Sequence, residues 1–231
     1  MSGETDISAN KRAVVLGAIR KGLSARGDEP GRRGAVRVRL ERSPDGLIPQ
    51  RARLPRPELL AQFRARLEVQ TAIVYEVETA EEVPQTIAEL LSEAELPPRI
   101  ACGSDAMIAA LPWEEAGITC ETDPQCYSTS EVSLTRALAA AAETGTLFFA
   151  SGQENPVNLA FLPRLHIAIV REDAIVGSYE EAWQTLRAVF ADGVLPPTVE
   201  LVSGPSCTAD IEQTLIRGAH GPVRLAVVVV R

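Results

Sequence analysis

The sequence is poor in the side chains that most often bind metals or form covalent intermediates. Its 231 residues include two histidines, His166 and His220, and two lysines, Lys11 and Lys21. Both lysines lie close to the amino terminus, in a basic segment described below. A Schiff-base lysine in the rest of the chain is therefore excluded by composition.

Cysteines are few and are not spaced as metal ligands. They show no C-x-x-C pair and no paired spacing near either histidine, so the sequence supports neither a structural zinc nor an iron–sulfur cluster. We expect reduced thiols that are mostly buried, and no metal is implied. The four cysteines are Cys102, Cys120, Cys126 and Cys207.

Long apolar runs and the common nucleotide and hydrolase motifs are missing as well. No stretch approaches eighteen uncharged apolar residues, and the apolar run near the amino terminus is too short and interrupted for a signal peptide. The sequence also lacks G-x-S-x-G, Walker A and G-x-G-x-x-G. We expect a cytoplasmic protein that is neither a nucleophile-elbow hydrolase nor a P-loop enzyme.

Charge is distributed unevenly along the chain. Residues 1–66 carry a net charge of +8, and the remainder carries −16. A basic arm can bind nucleic acid, but this one lacks interleaved aromatic residues and a helix-turn-helix pattern, so nucleic-acid binding is not favoured. Docking on an acidic body or partner and simple solvation remain the alternatives.

Two regions differ in character along the chain. Residues 1–56 form a basic amino-terminal arm and linker, with a helical pattern over 7–23 and an arginine-rich segment over 24–56 that is typical of a mobile linker. Residues 57–231 alternate strand-like and helical segments, which predicts an α/β domain with a doubly wound, mostly parallel sheet. The alanine-rich stretch over 131–145 is predicted as a helix that ends at Gly145.

Polar residues crowd the segment SGPSCTADIEQTLIRGAHGP, residues 203–222. It follows the strand-like VELV, and a helix is expected to start near Thr208 to Asp210. Two interpretations stay open. A glycine-containing turn at a helix start can bind a carboxylate or phosphate; alternatively, Asp210 is an ordinary helix cap and the segment is a structural connection. The ligand-binding candidates here are Ser203, Gly204, Ser206, Thr208 and Asp210.

His220 is the better catalytic candidate of the two histidines. It lies in an HGP turn, and its neutral imidazole can exchange protons near pH 7. A solvent-facing histidine, or one bonded to a backbone carbonyl, is the alternative. His166 lies in the apolar run LHIAIV and is expected to be a hydrogen-bonded strand residue.

A second polar cluster is Glu143-Thr144-Gly145-Thr146. A glycine helix cap explains it structurally, whereas a carboxylate positioned beside hydroxyls can act as base or nucleophile. Ligands of doubly wound sheets bind beyond the carboxyl ends of the strands. We therefore predict that this cluster, residues 203–208 and His220 meet at one pocket there.

Taken together, these motifs resemble the LUD-domain family, in its lactate utilisation protein C branch. The resemblance is carried by residues 143–146, Pro163 with His166, residues 203–206, the TADIE at 208–212 and the GAHGP at 218–222. It implies a fold like that of glucosamine-6-phosphate deaminase, ribose-5-phosphate isomerase and CoA transferases. Cys207 departs from the family pattern, which usually has a basic residue at this position, and Arg217 or Arg224 is the candidate replacement.

The resemblance implies a non-redox component of a bacterial system that oxidises L-lactate to pyruvate. Iron–sulfur clusters are then expected on partner proteins, with no cofactor in this chain, and the chain binds a small carboxylate or organises the complex. A homo-oligomer is compatible with this role. The alternative is a freestanding isomerase or CoA-transferase-type enzyme that acts on a phosphorylated or acyl substrate, with Glu143 as its working carboxylate.

Overall fold

The computed structural model describes residues 4–24, 30–42, 46–190, 194–209 and 215–231. The chain divides into two compact units, Met1–Gly46 and Leu47–Arg231. The first unit contains two helices, α1 (Glu4–Ser24) and α2 (Pro30–Arg42). The helix predicted over 7–23 is thus confirmed. The prediction of a mobile linker over 24–56 is wrong over α2, because residues 30–42 form a helix.

A six-stranded parallel sheet forms the centre of the second unit. Its order is β1-β12-β7-β4-β2-β3, and every neighbouring pair is parallel. The continuous apolar runs in the central strands are typical of strands that are covered on both faces. The six strands are β1 (Ile73–Val77), β2 (Arg99–Cys102), β3 (Thr119–Glu121), β4 (Val132–Ala137), β7 (Leu165–Arg171) and β12 (Arg224–Val230).

A smaller mixed sheet and a hairpin complete the strands. The mixed sheet has the order β8-β5-β6-β9, and β10 pairs with β11 in antiparallel fashion. These elements are β5 (Ala139–Ala141), β6 (Thr146–Ala150), β8 (Ile175–Val176), β9 (Val199–Val202), β10 (Cys207–Ala209) and β11 (Leu215–Arg217).

Helices cover the sheets in layers. Helices α4 (Val83–Glu93) and α5 (Ala106–Ala109) pack on one face of the parallel sheet. The other face is covered by α3 (Arg56–Val69) and by the inner side of the mixed sheet. Helix α6 (Tyr179–Val189) packs on the outer side of the mixed sheet. The expected α/β architecture with a mostly parallel sheet is confirmed.

The helix predicted over 131–145 is wrong, because this stretch forms β4 and β5. Alanine favours helices by intrinsic propensity, but here Ala139 and Ala141 contact the α6 layer while Ala140 and Ala142 face the parallel sheet. All four are completely buried. Small side chains allow the two layers to approach closely, so tertiary packing overrides the propensity.

The helix predicted to start near Thr208 is also wrong, because Thr208 lies in β10, paired with Ile216 of β11. Asp210 lies outside the described residues. By contrast, the segment SYEEAWQTLRAVF predicts a helix that begins at Ser178, and this is confirmed: Ser178 and Glu181 form a reciprocal capping box at the start of α6. None of the described helices combines the length and apolarity needed to cross a membrane.

Candidate functional site

A cluster of four hydroxyl groups joins the two polar segments. The Oγ1 atom of Thr146 lies 2.7 Å from the hydroxyl of Thr144, 2.8 Å from that of Tyr179 and 2.7 Å from that of Ser203. A threonine hydroxyl can donate one hydrogen bond and accept two, so these three neighbours use its full capacity. Thr146 is completely buried, and it therefore fixes the positions of the other three hydroxyls.

Two glycines bring these hydroxyls against the end of α3. Gly145 turns the chain between β5 and β6 with φ +68°, and a Cβ there would lie 2.8 Å from the Cβ of Arg66. A Cβ at Gly204 would likewise lie 2.7 Å from the Cβ of Gln70. Gly145 thus supplies the positive φ expected of it, but in a turn between strands and not at a helix end.

Glu143 is charge-compensated and held in place. Its Oε2 lies 3.0 Å from Nη2 of Arg51, and its Oε1 accepts a hydrogen bond of 3.2 Å from the backbone N–H of Tyr179 at the start of α6. The carboxylate is 6% exposed. Both oxygens of the Glu143 carboxylate are thus engaged by neighbouring groups of the protein.

A cavity of about 280 Å³ lies beside the hydroxyl cluster. Residues 203–207, His166 and His220 contribute to its wall, together with Phe161 and Leu225. Ser203 belongs to both the cavity wall and the hydroxyl cluster. Glu143 and Thr146 are not among the described residues that line the cavity, so the structure brings Ser203, Ser206 and His220 together but leaves Glu143 apart from them.

The cavity lies at the amino-terminal edge of the parallel sheet, and we call it the amino-terminal cavity. His166 and Leu225 on its wall are the second residues of β7 and β12. The predicted location at the carboxyl ends of the strands is therefore wrong. The prediction placed VELV in the parallel sheet, whereas this segment forms β9 of the mixed sheet. The polar segment that follows β9 leads to the start of β12, which is at the amino-terminal edge.

His166 is a buried, neutral member of this site. Its Nε2 lies 2.6 Å from the Thr135 hydroxyl, and its ring packs at 5.4 Å from that of Phe149. Burial lowers the pKa of His166 to about 4. Its Nδ1 has no hydrogen-bond partner in the described part of the chain. The expectation of a hydrogen-bonded strand residue is confirmed, while its place on the cavity wall was missed.

Backbone hydrogen bonds tie the two ends of the polar segment together. The N–H of Ser206 donates to the carbonyl of Pro222 at 2.8 Å, and the N–H of Gly218 donates to the carbonyl of Ser206 at 3.0 Å. His220 is exposed on the rim that results. The segment is thus both a structural connection and a cavity wall, so the two interpretations of its polarity are compatible.

The cysteines are more exposed than expected. Cys102 is buried, Cys120 and Cys126 are half-buried, and Cys207 is exposed. A hydrogen bond from Cys120 lowers the pKa of the Cys102 thiol. Cys207 departs furthest from the expectation of mostly buried thiols, because it lies on the exposed β10–β11 hairpin. Arg217 lies directly opposite it, which keeps a cation next to this position.

Sequence reasoning also missed Glu200. This residue of β9 is 6% exposed, and neither carboxylate oxygen has a partner among the residues that the structure describes. It lies opposite Phe149 in the strand register, and therefore on the same side of the mixed sheet as the ring that contacts His166. Burial raises the pKa of Glu200 to about 7. A single acid within the strand-like TVELV was the available signal.

Comparison with known proteins places the chain in a family. The LUD domain model matches residues 125–230. A protein from Deinococcus radiodurans named Lactate utilization protein C is 34% identical over 188 residues, which cover 79% of this chain and 84% of that protein. The chain belongs to the LUD-domain family. The resemblance derived from the sequence is thereby confirmed.

Other relatives match over a shorter region of this LUD-domain chain. Lactate utilization protein C from Shouchella clausii is 37% identical over 103 residues, which cover 44% of each protein. Its namesake from Bacillus licheniformis is 34% identical over 119 residues, covering 51% of the chain and 50% of the relative. The matched part thus spans about half the length of these two relatives.

A solved structure supports the fold. The crystal structure of a DUF162 family protein from Deinococcus radiodurans has a TM-score of 0.56 and 25% identity, and the match covers 77% of this chain and 99% of that one. Both the hydroxyl cluster and the Ser203–Cys207 wall lie within the range of the LUD domain model. Arg51, which pairs with Glu143, lies outside it.

Proposed function

We propose that this protein is a non-redox component of an L-lactate utilisation system, acting in the cytoplasm with iron–sulfur partner proteins that oxidise lactate to pyruvate. The observation that carries the proposal is the 34% identity across 84% of a relative named Lactate utilization protein C. The cysteine spacing, which lacks a cluster-binding pattern, is consistent with redox steps on partner proteins.

Within this role, the amino-terminal cavity is the proposed site for a small hydroxy or keto acid. Its wall offers the hydroxyls of Ser203 and Ser206 to a hydroxyl or carbonyl group. His220 on the exposed rim offers its ring nitrogens as hydrogen-bonding groups to a carboxylate. A three-carbon acid with accompanying water suits a volume of about 280 Å³.

The alternative of a freestanding isomerase or CoA transferase needs Glu143 as a working carboxylate. Its ion pair with Arg51 and its hydrogen bond from Tyr179 engage both carboxylate oxygens. No feature of the described residues places it on the wall of the amino-terminal cavity. The geometry therefore favours the binding or organising role.

Complementation of a strain that lacks this gene tests the proposal. Ser206→Ala and His220→Ala should slow growth on L-lactate at least several-fold while leaving growth on glucose and the melting temperature unchanged. Gln85→Ala, at an exposed position of α4, is the matched control. Normal lactate growth of both site variants, or loss of growth only through unfolding, would contradict the assignment of the cavity.

The division of labour has a separate test. A tagged chain recovered from lactate-grown cells should bring down iron-containing partners, and lactate-dependent electron transfer should appear only when these partners are present. The purified chain alone should be colourless and contain no stoichiometric iron or flavin. Lactate oxidation by the chain alone would refute the non-redox role.

A further inference from the structure

A second cavity, of about 620 Å³, opens at the opposite edge of the parallel sheet. Asp105 follows β2, and Arg136 is the penultimate residue of β4, so we call it the carboxyl-end cavity. Strands β2 and β4 are neighbours in the sheet. Along the chain, β2 is followed by β3, which lies on one side of this pair, and the parallel strand that follows β4 is β7, which lies on the other side. The crevice where such connections diverge is the usual ligand position in open α/β sheets.

An oriented arginine lines this cavity. Nε and Nη2 of Arg136 both lie 2.7 Å from Oδ2 of Asp105. The other oxygen of Asp105 accepts hydrogen bonds from the backbone N–H groups of Met107 and Ile108 at the start of α5. Asp105 therefore holds the guanidinium plane in place, and the remaining N–H groups of Arg136 have no described partner and can bind an anionic group.

Asn155 supplies an unsatisfied acceptor on the same cavity. It is 9% exposed, and its Nδ2 donates to the carbonyl of Ala150 at 3.4 Å. Its buried Oδ1 accepts no hydrogen bond from any described residue. A buried acceptor left without a donor costs about 1–3 kcal/mol. A ligand with a hydroxyl group would remove that cost.

The wall that carries Asn155 is already formed. The N–H of Ser104 donates to the carbonyl of Gln153 at 3.0 Å. A Cβ at Gly103 would lie 2.1 Å from the carbonyl oxygen of Glu154, so the loop lies directly on the end of β2. The hydroxyl oxygen of Ser151 accepts from the N–H of Thr198, which leaves its proton available to a ligand. The backbone of this loop is therefore in place before a ligand binds, and the Asn155 side chain has to turn to present its buried Oδ1 to the cavity.

We propose that the carboxyl-end cavity binds a hydroxycarboxylic acid, with its carboxylate on Arg136 and a hydroxyl group donating to Asn155 Oδ1. Asp105 already neutralises Arg136, and Glu154 adds a negative charge to the same wall. A singly charged carboxylate is therefore favoured over a phosphate dianion. The volume admits acids longer than lactate, such as sugar acids. The site shares no lining residue with the amino-terminal cavity and does not depend on the lactate role.

Calorimetric titration of the full-length protein tests this site with four probes. D-Gluconate and L-lactate carry hydroxyls, propionate lacks one, and inorganic phosphate is the competing anion. We expect at least one hydroxy acid to bind about tenfold more tightly than propionate, and phosphate to bind more weakly. Absence of binding by both hydroxy acids, or preferential binding of phosphate, would overturn the proposal.

Variants locate the binding. Asn155→Leu should weaken binding of the hydroxy acid about tenfold and leave propionate unchanged, while Arg136→Gln should weaken both. Arg136→Gln leaves the Asp105 carboxylate unpaired. The double variant Asp105→Asn/Arg136→Gln removes both charges and keeps a side chain at position 105 that can cap α5. Gln85→Ala, at an exposed position that lines neither cavity, should bind as the natural sequence does. Equal affinities in all variants would show that the acid binds elsewhere, whatever the outcome of the lactate growth test.

Discussion

Thr146 and Ser203, 57 residues apart in the sequence, share a hydrogen bond of 2.7 Å between their hydroxyl groups. Thr146 begins β6, and Ser203 directly follows β9, its antiparallel neighbour. The contact therefore depends on the register of the mixed sheet. It connects the completely buried Thr146 with the wall of the amino-terminal cavity, so packing at Thr146 determines where the Ser203 side chain lies.

Replacing Thr146 should cost more stability than its position near a cavity suggests. Thr146→Val keeps the shape of the side chain but removes the group that engages three hydroxyls. We expect unfolding to become easier by about 1–3 kcal/mol. Thr144→Val, which loses a hydroxyl with one described partner, should cost less. Urea denaturation of both variants measures this order, and equal or inverted costs would show that Thr146 is not the centre of the cluster.

The sequence anticipated the polar clusters better than their surroundings. Apolar runs such as those of β7 and β12 indicate buried strands by composition alone, and both were predicted. The alanines after β4 carry no such signal, because their strand conformation depends on the two layers that enclose them. Two polar clusters at the ends of elements made it possible to expect that Thr146 and Ser203 lie close together. The edge of the parallel sheet at which the cavity opens could not be predicted, because it depends on which strand pairs with β9.

The ion pair between Arg51 and Glu143 should show strong coupling. Arg51→Gln leaves a carboxylate that is 6% exposed without its counter-ion, and Glu143→Gln removes the charge itself. Because Arg51 is 55% exposed, we expect the single arginine variant to cost about 1–3 kcal/mol and not the full cost of an isolated buried charge. The double variant should recover part of that loss. A double-mutant cycle by chemical denaturation measures the coupling, and additive costs would argue against the pair.

Gly204 should tolerate no side chain. In Gly204→Ala the new methyl group would lie 2.7 Å from the Cβ of Gln70, which requires the turn to move away from α3. We expect a loss of about 1–3 kcal/mol in the free energy of unfolding. Gly152→Ala is the matched control, since nothing lies within 4 Å of a Cβ at that position. Thermal melting of the two variants distinguishes close packing from a general effect of replacing glycine, and similar losses would contradict it.

Glu200 should make the protein less stable as the pH rises. Burial raises its pKa from 4.5 to about 7, so the folded state holds a proton that the unfolded state has released. Its favourable contribution is complete below pH 4.5 and is lost as the pH rises to about 7. A shift of this size corresponds to about 3 kcal/mol. The difference in stability between Glu200→Gln and the natural sequence should therefore grow with pH across this range.

His166 should act in the opposite direction over nearly the same range. Burial lowers its pKa from 6.5 to about 4, so its contribution is present above pH 6.5 and is lost as the pH falls to about 4. The two contributions oppose each other between pH 4.5 and 6.5, and the natural sequence should show little net effect from them. Removing either group should expose the slope of the other: Glu200→Gln should lose stability towards acid, and His166→Gln towards neutral pH.

Urea denaturation at half-unit steps from pH 4 to 8 measures both slopes relative to the natural sequence. Loss of the Thr135 hydrogen bond in His166→Gln shifts its curve by a constant amount and leaves the slope unchanged. Parallel curves for all three proteins would mean that both side chains reach water in the folded state, and burial would no longer explain why each is neutral.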